Sequence, residues 1–480
     1  MKPIVSNSSL DLSCDALVEA YAAHRLSPVE VARAALARIE AVQPALRPFA
    51  HVDAEGALRA AAASEARWRA GEPLGLLDGV PTTVKDLLNV QGQPSRRGSA
   101  ALTDAPPASE DSASVARLRE HGAVILGKTA TPEFGWKGVT DSAITGITRH
   151  PLDPTRTPGG SSGGAAVAAV CGLGHAHLAT DGGGSIRIPA AFCGLFGFKP
   201  TFGVVPVHPH SPAWTLWHQG PLARTVADGA RLLQVISGPD ARDFYAAPPL
   251  GLDFMAAATE GARDAAGLRG LRIGVSATLG YAVPRPDVRR AFDHAVQHLV
   301  DLGAHVEDAC LTLADPIDVM APLWEVALAF GAQSLPADRH VLMETPVQHL
   351  VRRGEACSAV QWRHWEQRRA QLALTLAQAH QRFDLLVTPQ MPITAFEAGR
   401  EVPAGHPHDR WWTWSPYTYL FNLTQQPVAT VPCGLGDDGL PVALQMVGPR
   451  FGDEVVMRAA AAFEAAHPWP PGQNVKSARV

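Results

Sequence analysis

The 480-residue sequence predicts an α/β fold, a sheet whose strands are joined by crossover helices. Two observations carry that expectation. "SASVARLREHGAVILGKT" reads as a helix, a glycine turn and an apolar strand, and "RPDVRRAFDHAVQHLVDLGAHVED" repeats the unit. Further strands read from "LRGLRIGVS", "DLLVTP", "PVATVPCGL" and "LPVALQMVGP". Helical patterns alternating with short apolar runs are the sequence pattern of strands linked by helices.

The elements follow in order. Residues 8–70 read as a helical packing layer, because apolar residues recur three and four apart in "SCDALVEAYAAHR" and "SPVEVARAALARIEAVQPAL". Ser27 before Pro28 marks a helix start, a capping oxygen followed by a residue with no N–H to leave unpaired. "LLDGVPTTVKDLLNV" supplies turn residues, then a short apolar segment containing Lys85. Residues 240–270 read as loop and linker, and Ser358 to Phe383 as one long helix. The simple organisation is a single domain over 1–480, which this length permits.

Composition narrows the function. With 46% hydrophobic and 18% charged residues the chain can bury a sizeable core. A formal charge of −5 is small and gives no basic footprint for nucleic acid or an anionic membrane. Six scattered cysteines form no C-x-x-C pair, which suits a reducing compartment. No apolar secretory segment opens the sequence and no apolar run is long enough to span a membrane, so the expected setting is the cytoplasm. No cluster of histidines, cysteines and carboxylates stands at ligand spacing, so no metal or cofactor is expected.

Two glycine-serine runs carry the chemistry, "TPGGSSGG" (Thr157 to Gly164) and "TDGGGSIR" (Thr180 to Arg187). The first is not a P-loop, since no lysine and hydroxyl residue follow its last glycine. It satisfies G-x-S-x-G around Ser161 and Ser162, but a nucleophile elbow needs a strand before it. "RHPLDPTRTP" holds three prolines in ten residues and cannot be a central strand. In the second run, consecutive N–H groups without side-chain obstruction make an anion-binding concavity beside Ser185.

A serine nucleophile needs a base. His175 and His177 stand close in sequence, but nothing orients either one. Lys85 lies among Val80, Val84, Leu87 and Leu88, where a lysine either pairs or loses its proton. A neutral lysine serves as a base, whereas an ion pair with Asp86 would make it structural.

Three segments, "GVPTTVKDLLNVQG", "RTPGGSSGGAAVAAV" and "TDGGGSIRIPAAFCGLFGFKPTFG", resemble the amidase signature hydrolases. The similarity runs from about residue 8 to about 465 and includes "GPLARTVADGARLLQVISG" and "NLTQQPVATVPCGL". The resemblance implies a large mixed β-sheet covered by helices on both faces, with the signature core at about 75–240. It also implies a triad of Ser185 as nucleophile, Ser161 as bridge after a cis peptide bond from Gly160, and Lys85 as base and acid. The N–H groups of Gly182, Gly183, Gly184 and Ser185 would receive the oxyanion, supported by Ser162, Asp181 and Arg187.

The sequence departs from this family at Gly182, where relatives carry a larger residue, which suggests extra room or flexibility. His150 and Gln425 also replace a common asparagine and glycine. Aromatic residues Trp214 and Trp217, and Trp411, Trp414 and Tyr417, lie in segments that line the substrate funnel of relatives. They favour a small hydrophobic or aryl amide, carbamate or ester, acted on by a monomer or homodimer. The alternative is the A subunit of a glutamyl-tRNA amidotransferase, a glutaminase with a protein partner, against which the aromatic "HSPAWTLWHQGP" argues.

Overall fold

Thirteen strands form among the described residues, 8–263 and 267–469, of the computed structural model. They are β1 (Phe49–Val52), β2 (Pro81–Lys85), β3 (Val124–Thr129), β4 (Asp141–Ser142), β5 (Gly146–Ile147), β6 (Ala176–Asp181) and β7 (Phe196–Lys199). There follow β8 (His218–Ala223), β9 (Arg272–Val275), β10 (His305–Asp308), β11 (Leu385–Pro389), β12 (Val428–Leu435) and β13 (Pro441–Val447). Eleven of them make one mixed sheet in the order β1-β3-β2-β6-β8-β7-β12-β13-β11-β9-β10, while β4 and β5 pair separately.

Two of the parallel pairs are the predicted crossover units. β2 pairs parallel with β3 after the helix Ala113–Glu120, and β9 with β10 after the helix Pro286–Asp301. A parallel return needs such a crossover because the chain must come back to the same end of the sheet. The middle strands pair antiparallel, from β6 through β8, β7, β12 and β13 to β11. Their sequences are largely apolar, and β2, β3, β6, β7, β8, β11 and β13 are buried along their whole lengths. Cover on both faces explains why they show no two-residue alternation.

The N-terminal layer forms as its local signals direct. Ser27 accepts from Val29 N while Glu30 reaches back to the Ser27 N–H, starting the helix Pro28–Leu46. That helix buries Val31, Ala35, Ile39, Val42 and Leu46 against Val124 and Leu126 of β3. The layer is not wholly helical. Phe49–Val52 pairs antiparallel with β3 as an edge strand, four residues too short for their pattern to outweigh the helices around them.

The expected linker at 240–270 is also partly ordered into secondary structure. Phe254–Arg263 is a helix, packed so closely on the helix Asp453–Ala466 that a Cβ at Gly261 would lie 2.2 Å from the Arg458 carbonyl oxygen. Small residues allow that approach, and tertiary packing stabilises a helix too short to stand alone. Residues 264–266 of that stretch lie outside the described residues. Among the described residues no helix is long and apolar enough to cross a membrane.

β2 and β6 are parallel neighbours, so their carboxyl ends leave the sheet at one edge. Lys85 is the last residue of β2, and the second glycine run begins directly after Asp181, the last residue of β6. Crevices at the carboxyl ends of strands are where open α/β sheets place their sites.

Candidate active site

Lys85 is fully buried, and its Nζ meets three hydroxyl oxygens: Ser161 at 2.7 Å, Ser162 at 2.8 Å and Thr180 at 3.0 Å. Burial pushes its ammonium well below the usual lysine range, and the charge of Asp181 only partly offsets this. Ser161 Oγ lies 2.9 Å from Ser185 Oγ, so lysine and both serines form one unbroken chain. The Gly160–Ser161 peptide is cis. Asp86 does not pair with Lys85; its Oδ1 is 2.8 Å from Lys128 Nζ.

Ser162 precedes the helix Gly163–Val170 and donates to the Thr180 carbonyl at 3.2 Å. Its oxygen is thereby left to accept from Lys85. Three oxygens around Nζ suit a neutral amine: two accept its protons, and the third, Ser161, can donate into its lone pair. Thr180 completes this set. It is a residue that motif reading passed over, although it immediately precedes Asp181.

A second buried set holds the glycine run. Asp181 and Arg187 are fully buried, with Arg187 Nε 3.0 Å from Asp181 Oδ2 and Nη2 3.0 Å from Oδ1. Burial by itself would raise the Asp181 carboxyl, but the adjacent guanidinium and the Asn422 amide hold it well below the carboxylate range. Asn422 also accepts from Arg187 at 2.6 Å, and Arg187 reaches the Thr418 carbonyl at 2.8 Å. Thr418 Oγ1 in turn donates to Gly183 O at 2.6 Å. Asn422 and Thr418 lie more than 230 residues from the run, and nothing local in the sequence marks them.

One expectation needs correction. The Gly184 N–H donates to Asp181 Oδ1 at 2.7 Å, so it is not free to face an oxyanion. Gly184 serves the turn instead, with φ of 126° that only glycine adopts easily. The N–H groups of Gly182, Gly183 and Ser185 have no acceptor among the described residues. These three are the donors left for a developing charge.

The extra room expected at Gly182 is also absent. A Cβ there would lie 2.7 Å from Cζ3 of Trp324, and one at Gly183 would lie 2.6 Å from Cζ3 of Trp412. Tryptophan rings occupy the space a larger side chain would take.

His175 and His177 are distant from this chemistry. His177 pairs with Thr83 Oγ1 at 2.9 Å near the start of β6, four strand residues before Asp181 and so about 13 Å away along the strand. His175 contacts the Ser9 carbonyl at 3.2 Å. Burial pushes both down to about 3, leaving them neutral. His150 is likewise buried, its Nε2 2.8 Å from Phe192 O and its Nδ1 accepting from Leu152 N at 3.1 Å. Gln425 donates to Thr215 O at 3.2 Å, bracing the "HSPAWTLW" segment.

The predicted aromatic residues separate into three places. Trp217 lines a cavity of about 100 Å³ together with Leu87, Phe134, Trp324 and Leu328. Trp217 and Trp324 both flank the Gly182 position, so this cavity shares its wall with the glycine run. Trp214 is 43% exposed and stacks on Trp362 in an outer groove. Trp411, Trp414 and Tyr417 are buried in the core: Trp411 stacks on Trp412, Trp414 stacks on Phe192, and Tyr417 donates to Ala277 O. None of these three lines the cavity beside Trp217. Trp324 and Phe134, which do, were not singled out in the sequence, because each sits in an ordinary apolar pattern. Among the described residues no group of three or more histidine, cysteine or carboxylate side chains could hold a metal ion.

Comparison with known proteins places this arrangement in context. A family model described as Amidase matches residues 30–457. An acylamidase of Rhodococcus erythropolis is 34% identical over 466 residues, which is 95% of this chain and 96% of that protein. The A subunit of the glutamyl-tRNA(Gln) amidotransferase of Acidothermus cellulolyticus is 37% identical over 481 residues, 94% of this chain and 93% of that one. Among solved structures, a bacterial aryl acylamidase of the amidase signature enzymes superposes with a TM-score of 0.90 at 30% identity, covering 98% of this chain and 99% of the other. The native peptide amidase of Stenotrophomonas maltophilia superposes with a TM-score of 0.79 at 28% identity, covering 94% and 96%.

Proposed function

The chain belongs to the Amidase family, and on that premise we propose that it is a serine hydrolase cleaving amides of hydrophobic or aryl character through an acyl-enzyme. The observation that carries this reading is the buried chain Lys85 Nζ–Ser161 Oγ–Ser185 Oγ, at 2.7 Å and 2.9 Å. Neutral Lys85 accepts the proton of Ser161, which accepts that of Ser185, and Ser185 Oγ attacks the substrate carbonyl carbon. The N–H groups of Gly182, Gly183 and Ser185 receive the developing oxyanion. The proton returns along the same chain to the leaving amine, and water then releases the acid from Ser185. Carbamates and esters fit the same steps, since only the groups on the carbonyl carbon change.

The apolar lining of Trp217, Trp324, Phe134 and Leu328 supports an apolar or aryl group beside the scissile bond. The named acylamidase and aryl acylamidase relatives support the same class.

A second reading is the glutamine-hydrolysing component of an amidotransferase, working with a protein partner. Relatives of that name, 34–37% identical, favour it. Release of 4-nitroaniline from acyl 4-nitroanilides, measured beside ammonia release from glutamine, separates the two. Aryl-amide cleavage that disappears in Ser185→Ala is the expected result. Strong glutaminase activity with no anilide cleavage overturns the first reading, and turnover surviving Ser185→Ala overturns the triad.

A further inference from the structure

The cavity beside the glycine run has a half-buried cation in its lining. Arg97 stands there with Asn89, Phe134, Trp217 and Trp324. Its guanidinium makes no hydrogen bond and no ion pair among the described residues. Other well-placed arginines are tied down: Arg187 binds Asp181, Asn422 and the Thr418 carbonyl. Arg369 binds Thr215, Glu366 and the Leu423 carbonyl, and Arg224 binds the carbonyls of Leu10 and Leu12. The acid whose charge acts on Arg97, Asp86, is engaged by Lys128 at 2.8 Å.

The backbone around Arg97 is held in place. Its carbonyl accepts from Phe134 N at 2.8 Å, and its φ of 50° turns the chain at that point. Two residues on, Ser99 Oγ donates to the buried Glu133 at 2.6 Å. Arg97 and Phe134 are therefore fixed to each other from opposite segments. A second unused donor stands in the same lining, because the buried indole N–H of Trp217 has no partner among the described residues. A buried donor such as the Trp217 indole is normally satisfied, and a half-buried guanidinium beside apolar rings is matched best by a carboxylate.

We propose that Arg97 is the counter-ion for a carboxylate carried by the substrate, making it a specificity-determining residue of the hydrolase. This rests on the reading of Ser185 as an acylating nucleophile. It narrows the substrate class to amides with an apolar or aryl body and an anionic group, on the acyl or the amine side. Burial lowers the Arg97 guanidinium from its ordinary value, with Asp86 opposing the shift; a bound anion would restore the charge's stabilisation.

The test uses matched substrates in which CH3 replaces O− of the carboxylate. Glutaryl 4-nitroanilide is paired with 5-oxohexanoyl 4-nitroanilide, and 4-acetamidobenzoate with 4-acetamidoacetophenone. In the unmodified enzyme at least one pair favours the carboxylate in kcat/KM, by about 10- to 100-fold. Arg97→Met brings that ratio to about one or below, and Arg97→Lys keeps part of it. The proposal is overturned when neither pair favours the carboxylate, or when Arg97→Met leaves the ratio unchanged.

Should no amide turn over, the hydrolase reading itself fails, and binding decides the role of Arg97. Calorimetric titration of Ser185→Ala with glutaryl 4-nitroanilide then shows binding that the added Arg97→Met change removes. Equal binding by the two proteins, or binding by neither, overturns the assignment.

Discussion

A Cβ built on Gly182 would lie 2.7 Å from Cζ3 and 2.9 Å from Cη2 of Trp324. The indole of Trp324 donates from Nε1 to the Trp136 carbonyl at 3.2 Å and meets Trp412 edge to face. The ring cannot swing aside without losing both contacts. Gly182 and Trp324 are thus complementary partners, and the bare glycine is explained by the tryptophan that covers it.

Gly182→Thr should therefore overpack the wall of the glycine run and destabilise the protein by about 1–3 kcal/mol. Activity should fall with it, because the N–H groups of Gly182 and Gly183 would be displaced. Trp324→Leu in the same chain should recover much of the loss. A double-mutant cycle on melting temperature and kcat/KM checks this, and additive effects would show that the two positions are not coupled.

Lys85→Met should abolish turnover and raise stability. Burial lowers the folded-state pKa of Lys85, whereas the unfolded chain holds the proton up to about pH 10. Between those values the unfolded state binds more protons, so this group's contribution improves as pH rises. The variant's advantage in melting temperature should be large at neutral pH and shrink toward pH 10. For the unmodified enzyme, kcat/KM should rise with pH to a plateau above the folded pKa of Lys85, where the amine is neutral.

Asp181→Asn should be severe without touching Lys85, Ser161 or Ser185. It leaves Arg187 buried without its counter-charge, a change that costs about 3–5 kcal/mol. It also weakens the acceptor that holds the N–H groups of Gly184 and Ile186 at 2.7 Å and 3.1 Å. Because the folded pKa of Asp181 is depressed, its stabilisation is present above the unfolded value near pH 4 and lost as pH falls below it. Melting curves at pH 7 and pH 3 should show a large deficit at the first and a smaller one at the second.

Glu133→Gln should flatten the pH dependence of stability in acid. Burial raises the Glu133 carboxyl to about 7, despite its bonds from Ser99 Oγ at 2.6 Å and Glu344 N at 2.7 Å. The folded state keeps its proton where the unfolded chain has released it, so stability falls as pH rises from about 4 to 7. A neutral amide can accept from Glu344 N and donate to Ser99. Thermal melts between pH 4.5 and 8 should show less decline in the variant than in the unmodified protein.

The features readable along the chain are local. The capping pair Ser27 and Glu30, the apolar spacing of Pro28–Leu46 and the apolar character of β11 and β13 encode elements whose causes lie within a few residues. The two glycine-serine runs and the lysine in an apolar segment were legible for the same reason: glycine and a lone cation stand out against their neighbours. The four-residue β1 and the helix Phe254–Arg263 were not, because the partners that stabilise them, β3 and the helix Asp453–Ala466, lie 70 or more residues away.

The tertiary fold sets how those residues meet. It gave the Gly184 N–H to Asp181 and brought Asn422 and Thr418 onto the glycine run. It sent Trp217 to the cavity and Trp214 to the outer groove, though they stand three positions apart. It also left Arg97 in that cavity without a partner among the described residues. Periodicity tells which face of an element is apolar, but not which atoms from elsewhere in the chain will press on it. Hydrogen-bond geometry and close packing at one sheet edge settle that.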